Sequence, residues 1–160
     1  MQTPDVVIKH VPARRLFSVR GIVPRGGSIP DRFTTVMAGM AGFPHADRLG
    51  PCVAYYYSPP DQDMDIEIGF EAGDDFNESF TLPNGEVAQT RVMPAMPTAA
   101  VMVYKGSYSR IGEAWEAMMG WIEANGYVLS GPCCEVYLND PQVTPEEELL
   151  TELQAPVQKR

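Results

Sequence analysis

Histidine and cysteine are scarce in this chain: two of one and three of the other among 160 residues. His10 and His45 stand far apart, no C-x-x-C occurs, and Cys133 and Cys134 are adjacent while Cys52 is remote. That set lacks the ligand spacing of a zinc site, and an odd number of thiols makes a poor disulfide framework. The cysteines are better read as small buried hydrophobes, and the histidines as surface or loop residues. No metal and no cofactor is expected. Apolar runs of membrane-spanning length are missing, and Met1-Gln2-Thr3-Pro4-Asp5 has no basic region leading into an apolar core. The expected location is cytoplasmic. Basic residues are in deficit, 12 Lys and Arg against 21 Asp and Glu, for a net charge of −9. That balance argues against direct nucleic-acid binding, which needs a basic face, and suits attraction of cations. No nucleophile triad or phosphate-cradling glycine loop is present either, so nothing independent supports hydrolysis.

What is present is an ordinary globular composition, 44% hydrophobic and 21% charged. At this length the chain can bury a real core, as one domain over 1–160 or as two tightly fused halves. One stretch stands out: Gly131-Pro132-Cys133-Cys134-Glu135-Val136-Tyr137-Leu138-Asn139-Asp140-Pro141, a short apolar strand bounded by turn signals. Alternation puts Cys133, Glu135 and Tyr137 on one face. A carboxylate in such a strand needs a reason, because an unpaired buried charge is costly. Either Glu135 faces water on an edge strand, or it lies in an apolar pocket awaiting a cationic or hydrogen-bonding ligand.

In chain order, Val6–Val11 and Arg14–Val23 read as two strands forming a hairpin around Val11-Pro12-Ala13-Arg14-Arg15. A helix is expected from Ile29 to about Ala41, with Phe33, Val36, Met37 and Met40 at helical spacing, Ser28 as cap and Pro30 in the first turn. Cys52–Tyr57 is an apolar strand ended by Ser58-Pro59-Pro60-Asp61. Asp65–Ala72 alternates charge and hydrophobe, which predicts a half-exposed strand whose acids form a solvated face. The acidic segment 73–85 is the expected linker. Val87–Val92 and Ala99–Gly106 are further strands. Ser109–Ala124 is the clearest helix, with Ile111, Trp115, Met118, Met119 and Ile122 in one stripe, Ser109 as cap and Asn125-Gly126 as stop. Thr144-Pro145-Glu146-Glu147 reads as a capped single turn, and Leu150–Val157 as a last strand.

The order strand, strand, helix, strand, strand therefore occurs twice, in halves of about 1–75 and 86–160. Pro12-Ala13 is matched by Pro94-Ala95, Arg20-Gly21 by Lys105-Gly106, and Gly50-Pro51-Cys52 by Gly131-Pro132-Cys133. This predicts an α+β fold by internal duplication: an approximate two-fold axis, an antiparallel sheet, two helices on one face and a ligand cleft where the halves meet. The halves differ where Ala54 of the first corresponds in sequence to Glu135 of the second, while Tyr56 and Tyr137 also correspond. An asymmetric site with one carboxylate and both tyrosines fits that difference.

The second half carries Met93-Pro94-Ala95, Val103-Tyr104-Lys105-Gly106-Ser107-Tyr108, Trp121-Ile122, Asn125-Gly126, Gly131-Pro132, Glu135-Val136-Tyr137, Asp140-Pro141 and Thr151–Val157, and the first half has Ile66-Glu67-Ile68-Gly69-Phe70. In order and spacing these residues resemble the GyrI-like small-molecule-binding domains, which also serve as effector-binding modules of multidrug-sensing MerR-type and AraC-type transcription activators in bacteria. The resemblance implies a duplicated fold with a central pocket. The Glu of its Glu-x-Tyr strand, here Glu135 with Tyr137 beside it, meets the charge of lipophilic cations or aromatic compounds. Tyr108 falls at an aromatic wall of that pocket. Trp115, Phe33 and Tyr56 join the candidate ligand-binding residues from face and symmetry, though Trp115 and Phe33 at helical spacing are also what a plain core looks like. No helix-turn-helix accompanies the effector module, so a stand-alone binding domain is expected rather than a DNA-bound switch. Two alternatives use the same fold. One is a hydrolase of strained cyclopropyl electrophiles with Glu135 as general base and Tyr137 assisting. The other is a protein-interaction role of the DNA gyrase-inhibitor type, with gyrase or a regulator as partner.

Overall fold

The computed structural model describes residues 5–58 and 63–160. The expected turn at Pro59-Pro60-Asp61 and most of the N-terminal segment read above lie outside the described residues. The elements run β1 (Val7–Val11), β2 (Arg14–Val23), α1 (Ile29–Met40), β3 (Cys52–Tyr56), β4 (Met64–Glu71), β5 (Ser79–Thr81), β6 (Val87–Met93), β7 (Met96–Lys105), α2 (Ile111–Ala124), β8 (Tyr127–Leu129), β9 (Cys133–Tyr137) and β10 (Leu150–Lys159). The α+β class and antiparallel pairing are as expected. The order strand, strand, helix, strand, strand appears in both halves of the chain, with the short β5 and β8 added.

These elements fall into two compact units, Ala13–Pro94 and a second made of Ala95–Arg160 with the residues up to Pro12. In the first unit the antiparallel order is β3-β4-β2-β6-β5. In the second it is β1-β7-β10-β9, with β8 pairing the far end of β10. The expected β1–β2 hairpin does not form. β1 joins β7, with Val7 opposite Val101, and β2 is flanked by β4 and β6. Because β2 is central in its unit, both of its hydrogen-bonding edges are already occupied. Each half of the sequence thus lends its leading strand to the second strand of the other half.

The unit boundaries at Pro12 and Pro94 also displace the expected linker. Segment 73–85 contains β5, and it buries Phe76 and Leu82 at 1% and 2% exposure in the core of the first unit. Phe76 sits 5.2 Å from Phe17, which lies 4.7 Å from Phe43, and α1 closes this cluster with Val36 and Met40. Aromatic payloads of that size anchor a segment more firmly than its acidic composition suggests. In the second unit α2 packs Met118 and Ile122 onto Ala100, Met102, Leu153, Ala155 and Val157.

Ser28 caps α1 by accepting from the Asp31 N–H at 3.2 Å, and Pro30 lies in its first turn. Ser109 does not cap α2, whose N-cap position is Arg110 and carries no side-chain cap bond. Ser109 is inside a 3-10 turn, Tyr108–Arg110, and Ser107 accepts the Ser109 N–H at its head. The single turn Glu146–Glu148 is present, but no side chain caps it, so Thr144 does not have that role. Gly126, at φ +81°, stops α2 in the left-handed region.

β4 departs from its alternating pattern. Ile66 and Ile68 are buried as expected, yet Glu67, expected to face water, is 0% exposed. Polar partners on three other segments account for that burial, as described below.

Candidate functional site

β9 projects Cys133, Glu135 and Tyr137 to the face of its sheet that α2 covers, since Glu135 opposes Leu153, a member of the core packed against α2. Glu135 is 4% exposed. A carboxylate removed from water must be hydrogen-bonded, and two aromatic donors supply this. The Trp115 Nε1–H donates to Oε2 at 2.7 Å, and the Tyr137 O–H donates to Oε1. The reading of Glu135 as a solvated edge residue is therefore set aside.

α2 delivers Trp115 because the indole lies on the stripe that also buries Met118 and Ile122. Tyr108 arrives on the 3-10 turn ahead of α2 and meets the Tyr137 ring edge-on, with centroids 5.5 Å apart and planes at 72°. That turn is fixed by several bonds. Gly106 adopts φ +144°, and a Cβ there would come within 2.7 Å of the Tyr104 hydroxyl. The same hydroxyl donates to the Ser107 carbonyl at 2.7 Å, and the Gly106 N–H to the Leu149 carbonyl at 2.8 Å. Only glycine tolerates this conformation at so close an approach.

The result is one carboxylate oriented by an indole and a phenol, with a second phenol against the first. Its field reaches the neighbouring thiol: Cys133 is pushed up to about 11, by burial first and by the Glu135 charge second. Of the six candidate residues, Glu135, Tyr137, Tyr108 and Trp115 come together in the second unit. Tyr56 and Phe33 lie in the first unit, partly buried against the Phe17–Val36–Ile66 core. Among the described residues no group of His, Cys, Asp and Glu is arranged to hold a metal, and no helix is long and apolar enough to cross a membrane.

Sequence reading missed a second buried carboxylate. Glu67 accepts from the Ser18 hydroxyl at 2.5 Å, the Tyr57 hydroxyl at 2.6 Å and Arg91 Nη1 at 3.1 Å. Arg20 lies over the Tyr57 ring, 3.8 Å from its centroid, and makes a bidentate pair with Asp65 at 3.0 and 2.8 Å. Burial, and then the bond to Glu67, push the Tyr57 hydroxyl well above the ordinary phenol range. No local signal marks this network, since its members come from β2, β4, β6 and the end of β3.

Over residues 4–158 the sequence matches the family described as GyrI-like small molecule binding domain. The chain belongs to this GyrI-like family. Among solved structures, the C-terminal domain of EcmrR aligns over 99% of this GyrI-like chain and 100% of its own, at 27% identity and a TM-score of 0.71. EcmrR in its complex with DNA aligns at 30% identity and a TM-score of 0.71 over the whole GyrI-like chain, which spans 59% of that protein's length. The domain is thus related to the effector-binding part of a transcription regulator. SAV2435 bound to tetraphenylphosphonium shares the fold at 15% identity and a TM-score of 0.54, over 96% of this chain and 94% of its own. A sequence comparison with curated proteins returns no match.

Proposed function

We propose that this GyrI-like domain binds lipophilic cations at the Glu135 cluster and acts as a ligand-sensing module. The observation that carries the reading is the Glu135 carboxylate, 4% exposed and oriented by the Trp115 and Tyr137 donors. Aromatic donors fix the position of the charge without cancelling it. A cation about 4 Å from such a carboxylate gains about 4 kcal/mol at an intermediate dielectric. Each aromatic face adds about 0.5–2 kcal/mol. With some apolar burial these contributions reach the roughly −8 kcal/mol of micromolar binding. The net charge of −9 adds long-range attraction. The tetraphenylphosphonium complex of a protein with this fold supports the ligand class, and the EcmrR domain supports the sensing role.

Calorimetric titration with tetraphenylphosphonium, on the native protein and on Glu135→Gln, tests the proposal. Native binding in the micromolar range and a loss of roughly 100- to 1,000-fold in the variant are expected if most of the Coulomb gain disappears. Equal affinities would put the cation elsewhere and end this reading. The Tyr137–Glu135 hydrogen bond also suits acid–base hydrolysis of a strained cyclopropyl electrophile. Product formation above a Glu135→Ala control would move the protein to that class.

A further inference from the structure

We infer that Thr151 is a second recognition point of the Glu135 site, and that the preferred ligand is a lipophilic cation carrying a hydroxyl or similar hydrogen-bonding group on one of its rings. The inference rests on the reading of that site as a cation site. Thr151 is 0% exposed on β10, and its Oγ1 has no hydrogen-bond partner in the protein. Two other buried side-chain atoms among the described residues share that condition, Arg15 Nε and Arg32 Nε. Both belong to guanidiniums already bonded through other nitrogens, Arg15 by Nη1 to the Phe76 carbonyl and Arg32 by Nη1 and Nη2 to the two Glu86 oxygens. Thr151 is different: its single hydroxyl is wholly unspent.

Position gives that hydroxyl a meaning. Thr151 opposes Tyr137 on β9 and Tyr104 on β7, and Leu153, two residues along, opposes Glu135. Directly opposed residues of an antiparallel pair share a face, with Cβ atoms about 4.5–5.5 Å apart. Thr151 is therefore the strand neighbour of the tyrosine that holds Glu135, on the face that carries the site. Valine would fill the same volume in a strand without leaving a polar atom dry, so a threonine here calls for a partner. A cation that engages Glu135 competes with the Tyr137 O–H bond. The released ring can move aside and expose Oγ1 to a polar group of the ligand.

The test titrates tetraphenylphosphonium and its analogue with one ring hydroxyl into native protein, Thr151→Val and Thr151→Ser. One neutral hydrogen bond to an otherwise orphaned group predicts that native protein prefers the hydroxylated cation by roughly five-fold. The preference should persist in Thr151→Ser and vanish in Thr151→Val, while tetraphenylphosphonium itself binds all three alike. The melting temperature of Thr151→Val should equal or exceed that of native protein, because no internal bond is lost. Equal affinities for the two cations in native protein, or a preference that survives in Thr151→Val, would overturn the inference and leave the cation site standing. A clear fall in the Thr151→Val melting temperature would overturn it too, by showing the hydroxyl already satisfied by water. Failure of both cations to bind native protein would remove the cation site and this inference together.

Discussion

Replacing Glu67 with alanine separates two views of the first unit. On the alternating pattern of β4, Glu67 is one acid of a wet face, and its removal should change stability by no more than about 0.5 kcal/mol. The structure leads to a different number. Glu67 is fully buried and accepts three hydrogen bonds, from Ser18, Tyr57 and Arg91. Removing it strands Ser18, itself 3% exposed, at about 1–3 kcal/mol for an unsatisfied buried hydroxyl. The Arg91 side chain is 39% exposed, so it regains water and adds little. Tyr57, half-buried, recovers part of its loss in the same way. The one deleted methylene contributes about 0.8 kcal/mol before any collapse of the site. A total near 3 kcal/mol follows, which for a chain of this length lowers the melting temperature by roughly 6–12 °C. Differential scanning calorimetry of Glu67→Ala, Ser18→Ala and the double variant measures both the total and the Ser18–Glu67 coupling. A fall below about 2 °C for Glu67→Ala, or purely additive effects in the double variant, would refute the burial argument.

Two further outcomes follow from other charged and thiol groups. Arg32, by its bidentate hydrogen bonds at 2.7 Å, holds the Glu86 carboxyl below its usual range. The stability this pair contributes is present above the unfolded carboxyl value of about 4.3 and is lost as pH falls through the lower folded value. Melting curves of native protein and Arg32→Gln should therefore differ most near neutral pH and converge in acid; a gap independent of pH contradicts this. Cys133, raised to about 11, and Cys52, raised to about 12 by burial, should resist iodoacetamide at pH 8 in the folded protein. Labelling of Cys133, followed by peptide mass spectrometry, should be roughly a hundred-fold slower than in the unfolded chain, from thiolate fractions alone. Glu135→Gln should speed it, since the Glu135 charge contributes to the shift.

Local chemistry made much of this molecule readable. β2 has the bounds that its apolar residues and flanking prolines indicate, and α1 starts where Ser28 and Pro30 place it. Glu135 and Tyr137 were legible because a carboxylate amid apolar strand residues is costly and two-residue spacing fixes a shared face. Trp115 then follows from the stripe of α2, whereas Tyr108 was indicated by the family resemblance alone. Pairing across the chain was not legible. The proline between β1 and β2 looks like a hairpin turn, and nothing in either strand says that the edges of β2 belong to β4 and β6. Glu67 was misread for the same reason: Ser18, Tyr57 and Arg91 approach from distant segments, and period-two alternation describes only the strand itself. Thr151 gave no signal, because an orphaned hydroxyl is visible only once every neighbour is placed.

The route of the backbone through the two units bears on how the protein is made. Ala13–Pro94 is one uninterrupted stretch, so a ribosome can release it as a foldable body while the remainder is still being translated. The unit bearing Glu135 draws its first strand, β1, from before that stretch and its central strand, β10, from after it, last in order of its strands. Until β10 emerges, β1 and β7 have each other but β9 lacks its partner in that unit. A newborn chain therefore sets Glu135 fully into this unit's sheet only once β10 has been translated, and a message cut short upstream of β10 leaves the carboxylate without the strand that brings Leu153 opposite it.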